Sequence, residues 1–156
     1  MKDGRVFLVR HAKAGSRHDW DGDDRQRPLS KNGWKQATAI AQRLAPRSPT
    51  GLITSPFLRC RQTLEPLAQQ AELDIAVDER LAEGEPFAPV VDLLEQLAAG
   101  FVLCSHGDIV PDTIAALERR GCGIETPADW RKGTVWTIER AGGEFHRAKV
   151  WVPPAT

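Results

Sequence analysis

The sequence predicts an α/β fold: a three-layer α/β/α sandwich around a mixed, mostly parallel central sheet. Three observations predict it. Short apolar runs at residues 6–9, 51–55 and 101–104 lack polar alternation, as strands covered on both faces do. Stretches with helical period separate them. The chain then closes on residues 134–139 and 144–152, joined by Arg140-Ala141-Gly142-Gly143, which read as a β-hairpin with alternating exposure.

In order, the first strand, Val6-Phe7-Leu8-Val9, delivers Arg10 and His11 to its carboxyl end, where open α/β sheets place their ligand crevices. Two ionisable side chains at a buried rim are costly to desolvate unless a charge meets them, so an anion is the expected guest. Residues 13–27 are polar and without period, hence a surface loop. Its acidic run does not fit a calcium loop: counting from Asp19, the sixth and twelfth positions hold Asp24 and Ser30 instead of Gly and Glu. Ser30 caps a helix whose apolar positions are Trp34, Ala37, Ile40, Ala41 and Leu44, ended by Pro46 and Pro49.

After the strand at 51–55, Pro56 is expected in the first turn of a helix running through Phe57, Cys60, Leu64 and Leu67, kinked or restarted near Pro66. A strand at 74–77, a loop at 80–86 and a helix at 89–97 follow. Phe101-Val102-Leu103-Cys104 repeats the opening design, ending on Ser105-His106-Gly107. Side by side, the two strands would bring His11 and His106 together. Asp108 is expected to cap a helix from Ile109 to Arg120, with Pro111 in its first turn and Gly121 as its stop.

The 156 residues suit one domain, 1–156, with a substantial core. The 21 basic and 21 acidic residues cancel, so the overall field that draws a chain to nucleic acid or a membrane surface is missing and any anion site must be local. The 3 cysteines, Cys60, Cys104 and Cys122, lack CxxC spacing, against a disulfide framework or zinc knuckle. With no signal-peptide pattern at the start and no run of membrane-spanning length, a cytoplasmic protein is expected.

Three segments together resemble the histidine phosphatase superfamily, whose members have a phosphoglycerate mutase-like fold. They are Leu8-Val9-Arg10-His11-Ala12, Thr54-Ser55-Pro56-Phe57-Leu58-Arg59-Cys60-Arg61-Gln62-Thr63, and Ser105-His106-Gly107. Ala12 in place of Gly, and Arg27-Pro28-Leu29-Ser30 followed by Gly33 and Gln36-Ala37, are similar to its small SixA-like phosphohistidine phosphatase branch. The resemblance implies that His11 is a nucleophile taking the phosphoryl group, that Arg10 and Arg59 hold its oxygens through guanidinium forks, and that His106 donates to it. It further implies that Glu83 is the proton donor, with Glu85 in reserve, and that Ser16 contacts phosphate. No metal or cofactor is expected. A phosphohistidine in another protein is the expected substrate, since a chain this small leaves no room for a cap over the pocket. A small phosphorylated metabolite or nucleotide is the alternative, and a phosphate-binding module without turnover is the reading from another class.

Overall fold

The computed structural model describes residues 3–156. In chain order these form β1 (Gly4–Arg10), α1 (Lys31–Leu44), β2 (Gly51–Thr54), α2 (Leu58–Ala71), β3 (Ile75–Val77), α3 (Ala88–Gln96), β4 (Phe101–Ser105), α4 (Ile109–Arg119), β5 (Gly123–Ile124), β6 (Val135–Ala141) and β7 (Glu144–Trp151). The strands make one seven-stranded sheet in the order β3-β2-β4-β1-β6-β7-β5. β1, β2, β3 and β4 run parallel, while β6 pairs antiparallel with both β1 and β7. The expected mixed sheet and α/β/α layering are therefore what forms.

The layers follow from the two-residue period of a strand. Val6 and Leu8 of β1 face one core with Leu103 and side chains of α3 and α4, including Val91, Leu94, Ile114 and Leu117. Phe7 and Val9 face the other, with Ile40 and Leu44 of α1 and Leu64 and Leu67 of α2. Each large apolar side chain so buried contributes about 2 kcal/mol. Because β1 and β4 are covered on both faces, they need the continuous apolar runs seen in the sequence.

Local chemistry sets most element ends. Ser30 accepts from the Gly33 amide at 3.1 Å, the expected cap of α1. Gly33 itself is required: a Cβ there would lie 1.9 Å from the Lys13 carbonyl oxygen. Glycine costs helix stability, yet it lets the loop after His11 rest directly on α1. The β6–β7 turn is Gly142-Gly143, both at positive φ as a tight hairpin demands.

Several expectations are corrected. Pro56 lies outside α2, which starts at Leu58; of the two expectations at Pro66, a restart is absent, since α2 runs unbroken from Leu58 to Ala71. Asp108 occupies the N-cap position of α4 but makes no side-chain cap bond. Its carboxylate accepts instead from the Gly84 amide, 2.8 Å away. β6 does not alternate in exposure, being buried over most of its length. Val135 packs into one core and Trp136 and Ile138 into the other, so neither face is left to solvent. The short β5 escaped the sequence reading, its two residues being too few to show a period.

Candidate active site

In the parallel pair β1–β4, Arg10 stands opposite Ser105, so the next residues of each chain, His11 and His106, leave the sheet side by side. Their ring centroids are 5.4 Å apart. The chain turns from β1 toward α1 on one face and from β4 toward α4 on the other, and this divergence opens the crevice.

His11 is held at both ends. Its amide donates to the Ser105 carbonyl at 3.0 Å, and its carbonyl accepts from Gly133 at 3.1 Å. The ring's Nδ1 lies 2.8 Å from the Ala12 carbonyl, which only a protonated Nδ1 can satisfy, leaving Nε2 with its lone pair. The residue is 4% exposed. Burial is the largest cause that holds its pKa well below the ordinary 6.5; the Ala12 bond opposes this, while His106, Arg59 and Arg10 add to it. A neutral imidazole with a free nitrogen among cations is a nucleophile for an anion.

Thr63 of α2 locks the next residue: its hydroxyl accepts from the Ala12 amide at 3.0 Å and donates to the Arg59 carbonyl at 2.7 Å. Arg59, one residue into α2, is 0% exposed. Its Nη1 donates to the Asp24 carbonyl at 2.9 Å, while Nη2 meets the Asp24 carboxylate at 3.1 Å and Glu83 at 3.2 Å. Its Nε is buried without a partner among the described residues. Arg59 thus joins the cluster as expected, but with its fork on two carboxylates. Arg61, exposed on the same helix, pairs with Glu65 and takes no part.

Arg10 donates to the Trp130 carbonyl and keeps a buried Nε without a partner among the described residues. Its guanidinium lies against Gly107, where a Cβ would fall 2.6 Å from Cζ, so the glycine after His106 makes room for the arginine. His106 is 0% exposed and carries Ser55 Oγ on Nε2 at 2.8 Å. Its Nδ1 faces Glu83 at 3.7 Å. Glu83 also meets Arg17 at 3.4 Å. Glu85 is exposed and outside the cluster, so of the paired carboxylates only Glu83 reaches the histidines.

Above this floor is a cavity of about 390 Å³ lined by Arg10, His11, Ser16, Arg17, Arg27, Glu83 and Lys132, among others. Ser16 is an exposed wall residue and, among the described residues, makes no hydrogen bond to His11, Arg10, Arg59 or His106. Three further residues stand outside the set of expected site residues. Asp24 belongs by sequence to a run of loop acids, yet it faces Arg17, Arg27 and Arg59; although burial pushes its pKa up, Arg27 and Arg59 hold it below the usual carboxylate value. Arg27, almost fully buried, ties Asp24 to the Gly15 carbonyl. Lys132 precedes β6, and its pKa is lowered by burial and by Arg10, Arg27, Arg59 and Arg17. That crowding of positive charge is local, in a chain with no net charge.

An open α/β sheet presents here a neutral imidazole beside two arginines, Arg59 fully buried and Arg10 half-buried, an arrangement suited to an anion. The model of the histidine phosphatase superfamily (branch 1) matches residues 6–86, and the chain belongs to that family. Among relatives, an 8-oxo-(d)GTP phosphatase from Mycolicibacterium smegmatis is 36% identical over 96% of this chain, which spans only 48% of that protein. The protein histidine phosphatase SixA, solved with tungstate, superposes with a TM-score of 0.76 at 26% identity, covering 92% of this chain and 95% of that one. A mycobacterial glucosyl-3-phosphoglycerate phosphatase shares the fold, with a TM-score of 0.65 at 18% identity over 98% of this chain and 100% of the other. Among the described residues no helix is long and apolar enough to cross a membrane.

Proposed function

We propose that the protein hydrolyses a phosphoryl group in two steps through a covalent phosphohistidine on His11, without a metal. The observation that carries this reading is His11 itself, buried, neutral, anchored through Nδ1 and with Nε2 free. In the first step the Nε2 lone pair attacks phosphorus, the bond to the leaving atom breaks, and Glu83 gives that atom a proton. Arg10, Arg59 and His106 take up the negative charge on the equatorial oxygens as it grows. For Arg59 this means sharing a guanidinium now held by Asp24 and Glu83. In the second step water attacks the phosphohistidine, Glu83 recovers its proton from that water, and phosphate leaves with His11 restored.

A phosphohistidine side chain of another protein is the substrate this reading favours. The likeness to SixA covers nearly the whole of both chains. A second reading, a nucleoside phosphate, is favoured by the relative acting on 8-oxo-(d)GTP and by a neighbouring cavity of about 800 Å³. That cavity shares Arg10, Ala14 and Lys132 with the first and adds Lys13, Asn32 and Arg131, cations and an amide suited to further phosphates. Release of p-nitrophenol from its phosphate, with chelator present, tests the reaction: wild type turns over and His11→Ala does not. Equal rates in the two would refute it. A phosphorylated histidine protein set beside nucleotides and sugar phosphates then ranks the substrates by kcat/KM.

A further inference from the structure

Ser55 directly follows β2, is fully buried, and has no place in the steps above. Its hydroxyl oxygen sits between two nitrogens. The Phe57 amide, 3.2 Å away, can only donate to it. His106 Nε2, 2.8 Å away, is then the one acceptor among the described residues within reach of the hydroxyl hydrogen. The neighbouring Cys60 thiol approaches the same Nε2 at 3.5 Å, but has the Ser105 carbonyl at 3.7 Å as its own acceptor. Pairing the buried hydroxyl hydrogen therefore requires Nε2 of His106 to be unprotonated, with the ring proton on Nδ1. Nδ1 is buried, has no hydrogen-bond partner among the described residues, and faces the Glu83 carboxylate across the site.

We infer that Ser55 is a positioning residue that fixes the tautomer of His106, so that an N–H and not a lone pair is presented to the transferring phosphoryl group. The wrong tautomer would set a lone pair against phosphate oxygens, turning a donor into a repulsion just when charge accumulates. This rests on the two-step reading for its catalytic consequence, though not for the tautomer. The edge of Phe57, with its ring centroid 4.6 Å from that of His106, adds steric support but cannot choose between nitrogens.

The test uses the full chain, labelled with nitrogen-15 at histidine. It has only 4 histidines, and His106→Asn assigns the signal. In wild type the His106 ring should show a protonated Nδ1 and an unprotonated Nε2; in Ser55→Ala that pattern should shift toward the other tautomer or a mixture. Turnover of p-nitrophenyl phosphate should fall about 10- to 100-fold in kcat, less than the loss of a donor outright, with KM within about twofold. Ser55→Thr, which keeps the hydroxyl, should restore both signals. If the alanine chain does not fold, Ser55→Cys, near in size and a weak donor, carries the same comparison. A wild-type ring protonated at Nε2, or a tautomer that ignores loss of the hydroxyl, overturns the inference. A wild-type protein with the expected tautomer but no turnover would instead refute the phosphatase reading and leave the Ser55 assignment standing.

Discussion

The floor and the rim of the site are built by different means. The floor is His11, His106 and Arg59, buried at the ends of β1 and β4 and at the start of α2, each fixed by backbone or side-chain hydrogen bonds. The rim is Ser16, Arg17, Glu83 and Lys132, carried on the long loop after β1, the segment before α3 and the segment before β6. Rim charges are partly solvated: the Arg17 side chain is 66% exposed and the Glu83 side chain 34%. Rigid strand ends suit groups that must meet reacting atoms within fractions of an ångström, whereas loops suit groups that select what arrives. The floor should therefore govern kcat and the rim KM.

The largest break in that comparison is His11→Ala, expected to lower kcat at least about 10⁴-fold with the fold intact, by stopped-flow and thermal melting. Retention of more than a few per cent of activity would remove the floor's central member. Next, Arg59→Ala is expected to lose about 10²- to 10³-fold in kcat/KM. It should also cost about 2 kcal/mol in urea unfolding, since Asp24 and Glu83 lose their shared cation but remain partly in water. An unchanged unfolding midpoint would show that the network holds nothing together.

Glu83→Gln sharpens the boundary, because Glu83 stands on the rim but is assigned chemistry. It is expected to cost about 10²-fold for a phosphate monoester with a poor leaving group and only a few-fold for p-nitrophenyl phosphate. Equal losses for the two would make Glu83 a structural ion-pair partner. Lys132→Ala should raise KM severalfold with kcat little changed, an effect shrinking as salt is added. The smallest expected effect is on acid stability. His11 resists protonation in the fold, so below about pH 6.5 the unfolded chain binds a proton that the folded chain refuses. Its contribution is thus intact above that pH and is lost as pH falls toward the lower folded pKa; His11→Asn should flatten that part of a stability–pH curve.

The same division explains what could be read from the chain alone. Floor residues sit beside apolar runs, and a run such as Val6-Phe7-Leu8-Val9 announces both a strand and the place where it ends. Arg59 and Thr63 lie four apart on a helix, a spacing that survives translation from sequence to space. Asp24 and Lys132 carry no such signal. Asp24 lies in a run of acids whose ion-pair partners, Arg17, Arg27 and Arg59, become partners only through tertiary folding. Lys132 reaches the site because β6 pairs antiparallel with β1, which puts the residues before β6 beside His11. The hairpin pattern of β6 and β7 was visible, but nothing in it said that β1 was the other neighbour. Asp108 has the sequence of a cap but does not act as one for a related reason: the partner of its carboxylate, the Gly84 amide, comes from a distant loop.

The central claim is that His11 takes the phosphoryl group. Mixing enzyme with substrate for less than one turnover, quenching in alkali and mapping the modified peptide by mass spectrometry reads it directly. The account predicts a base-stable, acid-labile phosphoryl group on His11 that forms and decays at the rate of turnover. Turnover with His11 unmodified at every time, or a phosphoryl group held on any other residue, would contradict it.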